Sequence, residues 1–150
     1  MNLFAEIRSA VVDALGRMTA EGLLPDGLDL SAVAVEPPRD PAHGDMAANA
    51  AMVLAKPAGK PPREIADALA ARLMDDPRIA GADVAGPGFL NLRLAPAVWQ
   101  GVVRQVLASG TDYGRSDIGG GARVNVEFAA ANPTGPMHVG HTRGAVVGDA

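Results

Sequence analysis

The sequence predicts an α/β chain in two parts: a small N-terminal module of helices and short strands, then the opening strand and helix of a second domain. Three observations carry that expectation. Apolar residues recur at helical spacing through residues 2–20, whereas Val124, Val126 and Phe128 alternate with polar Asn125 and Glu127 as a strand does. Residues 109–121 hold five glycines and no hydrophobic periodicity, which marks a linker. After the late strand, Asn132-Pro133-Thr134-Gly135-Pro136 halts pairing, because two prolines remove ladder donors and fix φ, and a helix begins near Met137 or His138.

In chain order, Leu3, Phe4, Ile7, Val11, Leu15 and Met18 form one apolar helical face, ended by Gly22 and Pro25-Asp26-Gly27. Ala32–Glu36 reads as a strand stopped by Pro37-Pro38. Pro41–Asp45 reads as a turn, with Gly44 shaping it and Asp45 as N-cap of an Ala-rich helix through Leu54. Pro57 to Pro62 is a loop, and Pro62 suits the first turn of a helix carrying Ile65, Leu69 and Leu73. Pro77 and Gly81 close that helix. Asp83-Val84-Ala85 is a short strand candidate, and Phe89, Leu90, Leu92 and Leu94 mark a stronger one. Pro96 opens a helix with Val98, Trp99, Val102, Val106 and Leu107. The apolar neighbours of Phe89 and Trp99 favour core packing over stacking on an unpaired base.

The chain has 150 residues, room for one domain, or for one domain plus part of another. Aromatics are 3%, so the core is expected from Ala, Val, Leu and Met. There is no cysteine, which excludes disulfides and thiolate sites and fits a reducing compartment. No apolar run reaches membrane-spanning length, and charges at Glu6, Arg8, Asp13 and Arg17 argue against a signal peptide. A cytoplasmic protein is expected. The net charge of −4 disfavours a broad electrostatic grip on nucleic acid while leaving room for a local contact. One strand and part of a helix cannot bury a core, so residues 122–150 read as an incomplete domain and the chain as a fragment.

The strand–turn–helix near the C-terminal end carries the chemistry. Such junctions bind nucleotides in α/β folds, because a helix N-terminus offers unpaired N–H groups and partial positive charge to phosphates. His138 and His141, three apart, share a helix face and can donate to triphosphate oxygens, and Gly140 between them makes room for an adenine. The same pair at this spacing could instead cap the helix and bond locally. Glu127 and Asn132 can face the same crevice, where a carboxylate suits a cationic co-substrate. A protein-bound metal is not expected, since zinc sites use three or four ligands and His43 lies far off in sequence.

His138-Val139-Gly140-His141 resembles the HIGH signature of class I aminoacyl-tRNA synthetases. The longer run Val126–His141, with Arg143-Gly144 and Gly148-Asp149-Ala150, resembles arginyl-tRNA synthetases in particular. His43–Lys56 and Gly86–Leu94 resemble two segments of that family's N-terminal additional domain, and Tyr113–Gly121 its connector. The resemblance implies an additional domain at 1–108, a linker at 109–121, and at 122–150 the start of a Rossmann-type catalytic domain with its HIGH region at 131–141. It implies a role in translation: ATP-dependent activation of L-arginine, with Mg2+ accompanying ATP, and transfer to tRNA(Arg). In that family the N-terminal domain contacts the D-loop side of the tRNA elbow. His138, Gly140 and His141 would hold ATP, with the two histidines catalytic; Glu127 and Asn132 would bind arginine. Asn49, Lys56, Lys60 and Arg63 are candidates for tRNA contact. DNA and membrane are not expected partners, and a monomer is expected.

Two departures from the family pattern stand out. Ala129–Ala131 replace serines that many relatives have, and Gly135 stands where many carry a lysine that substitutes for the KMSKS lysine. The only lysines here are Lys56 and Lys60, so a KMSKS-type lysine is expected in the complete protein, and the 150 residues alone should be inactive. Two alternatives stay open: a free-standing tRNA-binding module, and another HxGH adenylyl- or nucleotidyltransferase.

Overall fold

A computed structural model of the chain describes residues 2–125, 127 and 135–149. It divides into two compact units, Met1–Gly110 and Thr111–Ala150. The first contains α1 (Leu3–Ala20), β1 (Val35–Glu36), a 3-10 turn at Pro41–His43, β2 (Met46–Ala48), α2 (Ala50–Ala58), α3 (Pro62–Leu73), β3 (Ile79–Ala85), β4 (Phe89–Leu94) and α4 (Pro96–Ser109). The strands form one antiparallel sheet in the order β1-β2-β4-β3, and α1, α2 and α3 pack on one of its faces.

Helix α1 forms where the periodicity places it. The Asn2 side chain accepts the Ala5 N–H at 3.2 Å as an N-cap, and Ile7, Ala10, Val11, Ala14, Leu15 and Met18 bury one stripe. Phe4, expected on that face, is exposed. In α3, Pro62 occupies the first turn, and Ile65, Ala66, Leu69, Ala70 and Leu73 turn inward. Strand β4 alternates Leu90, Leu92 and Leu94 into the core. The core is aliphatic, as the composition implies, but it also includes Ile7, Ile65 and Ile79, and no described aromatic is buried.

Four local expectations are corrected. The strand at 32–36 shrinks to Val35–Glu36, because the Asn49 side chain takes the backbone groups a neighbour would pair. Its Oδ1 accepts the Ala34 N–H at 2.8 Å, and its Nδ2 donates to the Ala32 carbonyl at 3.2 Å. Asp45 caps no helix. It precedes β2, and its carboxylate accepts the Leu94 N–H at 2.7 Å while its own N–H donates to the Leu92 carbonyl at 2.8 Å. The helix that follows continues through Pro57 to Ala58, ending where Gly59 adopts φ +64. Gly81 lies inside β3 at a register shift rather than ending a helix, so β3 is longer than Asp83–Ala85.

In the second unit, α5 spans Val139–Asp149, starting where the sequence places it, and a 3-10 turn at Gly110–Asp112 lies at the boundary. Of the expected strand at 124–128, Val126 and Phe128 lie outside the described residues; Val124, Asn125 and Glu127 are exposed and in no strand. None of the described residues in this unit is buried.

Candidate nucleic-acid interface and nucleotide site

The alternation that sends Leu90, Leu92 and Leu94 inward sends Phe89, Asn91 and Arg93 to the opposite face of the sheet, away from α1, α2 and α3. Antiparallel register aligns Glu36, Ala47, Asn91 and Asp83 in one row across the four strands. The small Ala47 lies between Glu36 and Asn91, and the space above this part of the sheet is a cavity of about 480 Å³. Phe89, Asn91, Asn49, Glu36, Arg39 and His43 are among its lining residues.

Asn91 is only 8% exposed, the one polar residue in the buried class among the described residues, and its amide bonds to none of their side chains or backbone groups. An amide in that position keeps both donor and acceptor available to whatever fills the cavity, water included. Phe89 is 45% exposed. The expectation that it packs in the core is therefore overturned: its strand parity, not its hydrophobicity, decides its face. The hairpin that presents it is held firmly. Gly88 has φ +149, and a Cβ there would lie 2.8 Å from the Pro62 Cβ.

The loop on the other side of the cavity is also pinned. The Asp40 carboxylate accepts the Ala42 N–H at 2.9 Å, and the Arg93 guanidinium donates to the Ala42 carbonyl at 2.9 Å. Gly44 packs so closely that a Cβ would sit 2.7 Å from the Leu92 carbonyl oxygen. Exposed Arg39 and His43 thus stand on a fixed rim.

Of the four residues singled out for tRNA contact, the structure places one, Asn49, at the cavity, and its amide is occupied by Ala32 and Ala34. Lys56 is exposed in the last turn of α2, Arg63 is exposed in the first turn of α3, and Lys60 pairs with Glu64. Sequence reasoning missed Asn91, Arg39 and His43. His43 and Asn91 fall within the two segments that carry the family resemblance, but nothing local gives them a role, because strand register sets Asn91 in line with Glu36 and the loop at 40–44 carries His43 to the same cavity.

In the second unit, His138 stands directly before α5. Its Nδ1 accepts the Gly140 N–H at 3.1 Å, and its carbonyl accepts from His141 N at 2.9 Å and Thr142 N at 3.2 Å. The His141 Nδ1 lies 3.4 Å from the His138 backbone N–H that it accepts, and the two rings stack at 3.8 Å with 25° between planes. With both Nδ1 atoms accepting, each ring is left with Nε2–H as its donor beside a helix N-terminus. A Cβ on Gly140 would lie 3.0 Å from His138 Cε1, so the exposed ring would have to give by a few tenths of an ångström. Glu127 is exposed, and Asn132 lies outside the described residues. Among the described residues, no group of three or more His, Cys, Asp or Glu could hold a metal ion, and no helix is long and apolar enough to cross a membrane.

The chain belongs to the arginyl-tRNA synthetases through their N-terminal domain: the family described as Arginyl tRNA synthetase N terminal domain matches residues 5–94. It is 77% identical over all 150 residues to an arginine–tRNA ligase of Cereibacter sphaeroides (strain ATCC 17025 / ATH 2.4.3), covering 26% of that protein. It is 71% identical, with the same coverage, to an arginine–tRNA ligase of Paracoccus denitrificans (strain Pd 1222). The Thermus thermophilus arginyl-tRNA synthetase structure matches 99% of this chain with a TM-score of 0.51 at 25% identity, over 22% of its own length. The chain thus spans about a quarter of the length of the curated relatives it matches.

Proposed function

We propose that the chain is the N-terminal part of an arginine–tRNA ligase, with an additional domain at 1–108, a linker at 109–121 and the start of the catalytic domain at 122–150. The observation that carries this reading is similarity without interruption, over all 150 residues, to proteins that bear that name.

The reaction would run as arginyl-adenylate formation, in which the arginine carboxylate attacks the ATP α-phosphate and pyrophosphate leaves, followed by transfer to the terminal adenosine of tRNA(Arg). The Nε2–H groups of His138 and His141, placed at the N-terminal end of α5, would hold phosphate oxygens and strengthen as charge builds in the transition state. Positioning does the work; no covalent enzyme intermediate is required. Glu127 would pair with a cationic group of arginine, and Asn132 would assist. Mg2+ would arrive on the triphosphate oxygens. The enzyme would act in the cytoplasm as a monomer.

The additional domain would receive one unpaired base of the tRNA in the cavity on its sheet. Phe89 offers a face for stacking, and the unpartnered Asn91 amide offers a donor and an acceptor for the base edge. Arg39 and His43 stand where the flanking phosphates would pass. That geometry also favours a second reading, a tRNA-binding module that acts without catalysis.

The test joins these 150 residues to the remaining residues of the Cereibacter relative and assays tRNA charging. Arginine- and ATP-dependent charging is expected. Selective tRNA binding with no charging would assign the module instead. Pyrophosphate exchange driven by a non-amino acid and indifferent to tRNA would assign a different adenylyltransferase.

A further inference from the structure

Helix α4 differs from the other three helices of its unit. Its start is anchored: the Ala95 N–H donates to the Arg78 carbonyl at 2.8 Å, and Val98 packs against the core. Beyond that turn none of its residues is fully buried, although Gly101, Val102 and Gln105 on the Val98 face are half-buried. Trp99, Val103, Val106 and Leu107 fall at i, i+4, i+7 and i+8, a single apolar stripe, and are 43%, 58%, 38% and 77% exposed. The expectation that Trp99 packs in the core is overturned. A 14-residue helix is marginal by itself in water, so a stripe of this kind is stable when something covers it.

We infer that this stripe is the seat of the part of the ligase that the relatives have beyond these 150 residues, an inference that rests on the ligase reading above. Two observations choose that occupant. The stripe is too small for a stable dimer: its four side chains present on the order of 300–400 Å², against about 800 Å² per partner in a standard interface. A tethered segment of the same chain does not need such an area, because the linker makes docking intramolecular. The relatives supply that segment, since roughly three quarters of their length lies outside the match. The stripe also ends three residues before the first unit does, at Gly110, next to the residues that continue into the rest of the ligase.

Trp99 is the only tryptophan, which provides the probe. The 150-residue chain, labelled with 5-fluorotryptophan, is ligated to the unlabelled remainder of the Cereibacter relative, so that only Trp99 reports. The H2O/D2O shift of its fluorine signal is expected to fall by roughly half or more on ligation. Leu107→Glu is expected to lower the melting temperature of the ligated protein by about 2–4 °C or more and leave that of the 150-residue chain unchanged. An undiminished isotope shift together with unaltered melting overturns the inference. So does sedimentation of the 150-residue chain as a dimer that Leu107→Glu dissociates, which would assign the stripe to a second copy. A ligated protein that charges tRNA with arginine while Trp99 stays wet overturns docking alone; a covered Trp99 without charging overturns the ligase reading alone.

Discussion

The Asp45 carboxylate accepts the backbone N–H of Leu94 at 2.7 Å, tying the loop before β2 to the far end of β4. The bond is part-buried and spans 49 residues of sequence, so it joins elements that the chain alone does not hold together. Asp45→Ala leaves the Leu94 N–H without its acceptor and is expected to cost about 1–3 kcal/mol. Asp45→Asn keeps a carbonyl oxygen and should cost less. Urea unfolding of the 150-residue chain, followed by circular dichroism, measures both.

Gly44 and Gly27 separate strain from steric conflict. Both have positive φ, +126 and +75, but a Cβ on Gly27 meets nothing within 4 Å, whereas on Gly44 it meets the backbone carbonyl of Leu92. Gly27→Ala is expected to cost about 1 kcal/mol from backbone conformation. Gly44→Ala should cost at least twice that, because a backbone oxygen cannot swing aside. Equal losses in urea unfolding would count against the close packing of this loop.

Arg78 holds the Asp76 carboxyl below its ordinary value, chiefly through side-chain hydrogen bonds at 2.6 and 3.0 Å, against an opposing effect of burial. The lowered folded value means the pair's contribution is fully present above about pH 4, the ordinary carboxylate range, and is lost as pH falls through the folded value. Asp76→Asn should therefore destabilise the chain at pH 7 and flatten the acid limb of stability against pH. Urea midpoints between pH 7 and pH 2 for both proteins test the sign.

Phe89→Ala is expected to weaken tRNA binding by roughly 5- to 150-fold, the range for losing one base stack of about 1–3 kcal/mol. Because the ring is 45% exposed, the melting temperature should hardly move. Phe89→Tyr should retain affinity. Asn91→Ala should weaken binding as well, with discrimination between bases reduced, in filter binding of tRNAs that differ at one unpaired loop position. Unchanged affinity in both alanine variants would remove the cavity from the interface.

His138→Asn keeps an acceptor for the Gly140 N–H, and with it the start of α5, but loses the Nε2–H donor. In the ligase of full relative length, arginine-dependent pyrophosphate exchange should fall about 10²- to 10³-fold in kcat, as when one transition-state donor is removed. Gly140→Ala asks the exposed His138 ring to shift by only a few tenths of an ångström and should reduce exchange far less than His138→Asn.

How much was legible depended on whether the cause was local. Helices α1 and α3, the start of α4 at Pro96 and strand β4 follow from side-chain period, caps and proline, which act within a few residues. β2 was not legible: Met46-Ala47-Ala48 favours helix by propensity, but pairing with β4 and β1 outweighs that preference. The role of Asn49 in bracing Ala32 and Ala34 was equally hidden, because it acts across 15 and 17 positions.

The sequence by itself determined the family resemblance, the two-part organisation of helices and strands, and the His138–His141 helix start, because each rests on neighbours in the chain. Tertiary structure alone decided which face of the sheet the helices cover. Alternation in β4 shows that Phe89 and Asn91 lie opposite Leu90 and Leu92, but not which side is closed. Three helices close the leucine side, and strand register then gathers Glu36, Ala47 and Asn91 on the opposite side, where the amide of buried Asn91 lies two residues from an exposed ring. That juxtaposition is set by pairing between distant segments, and no period along the chain encodes it.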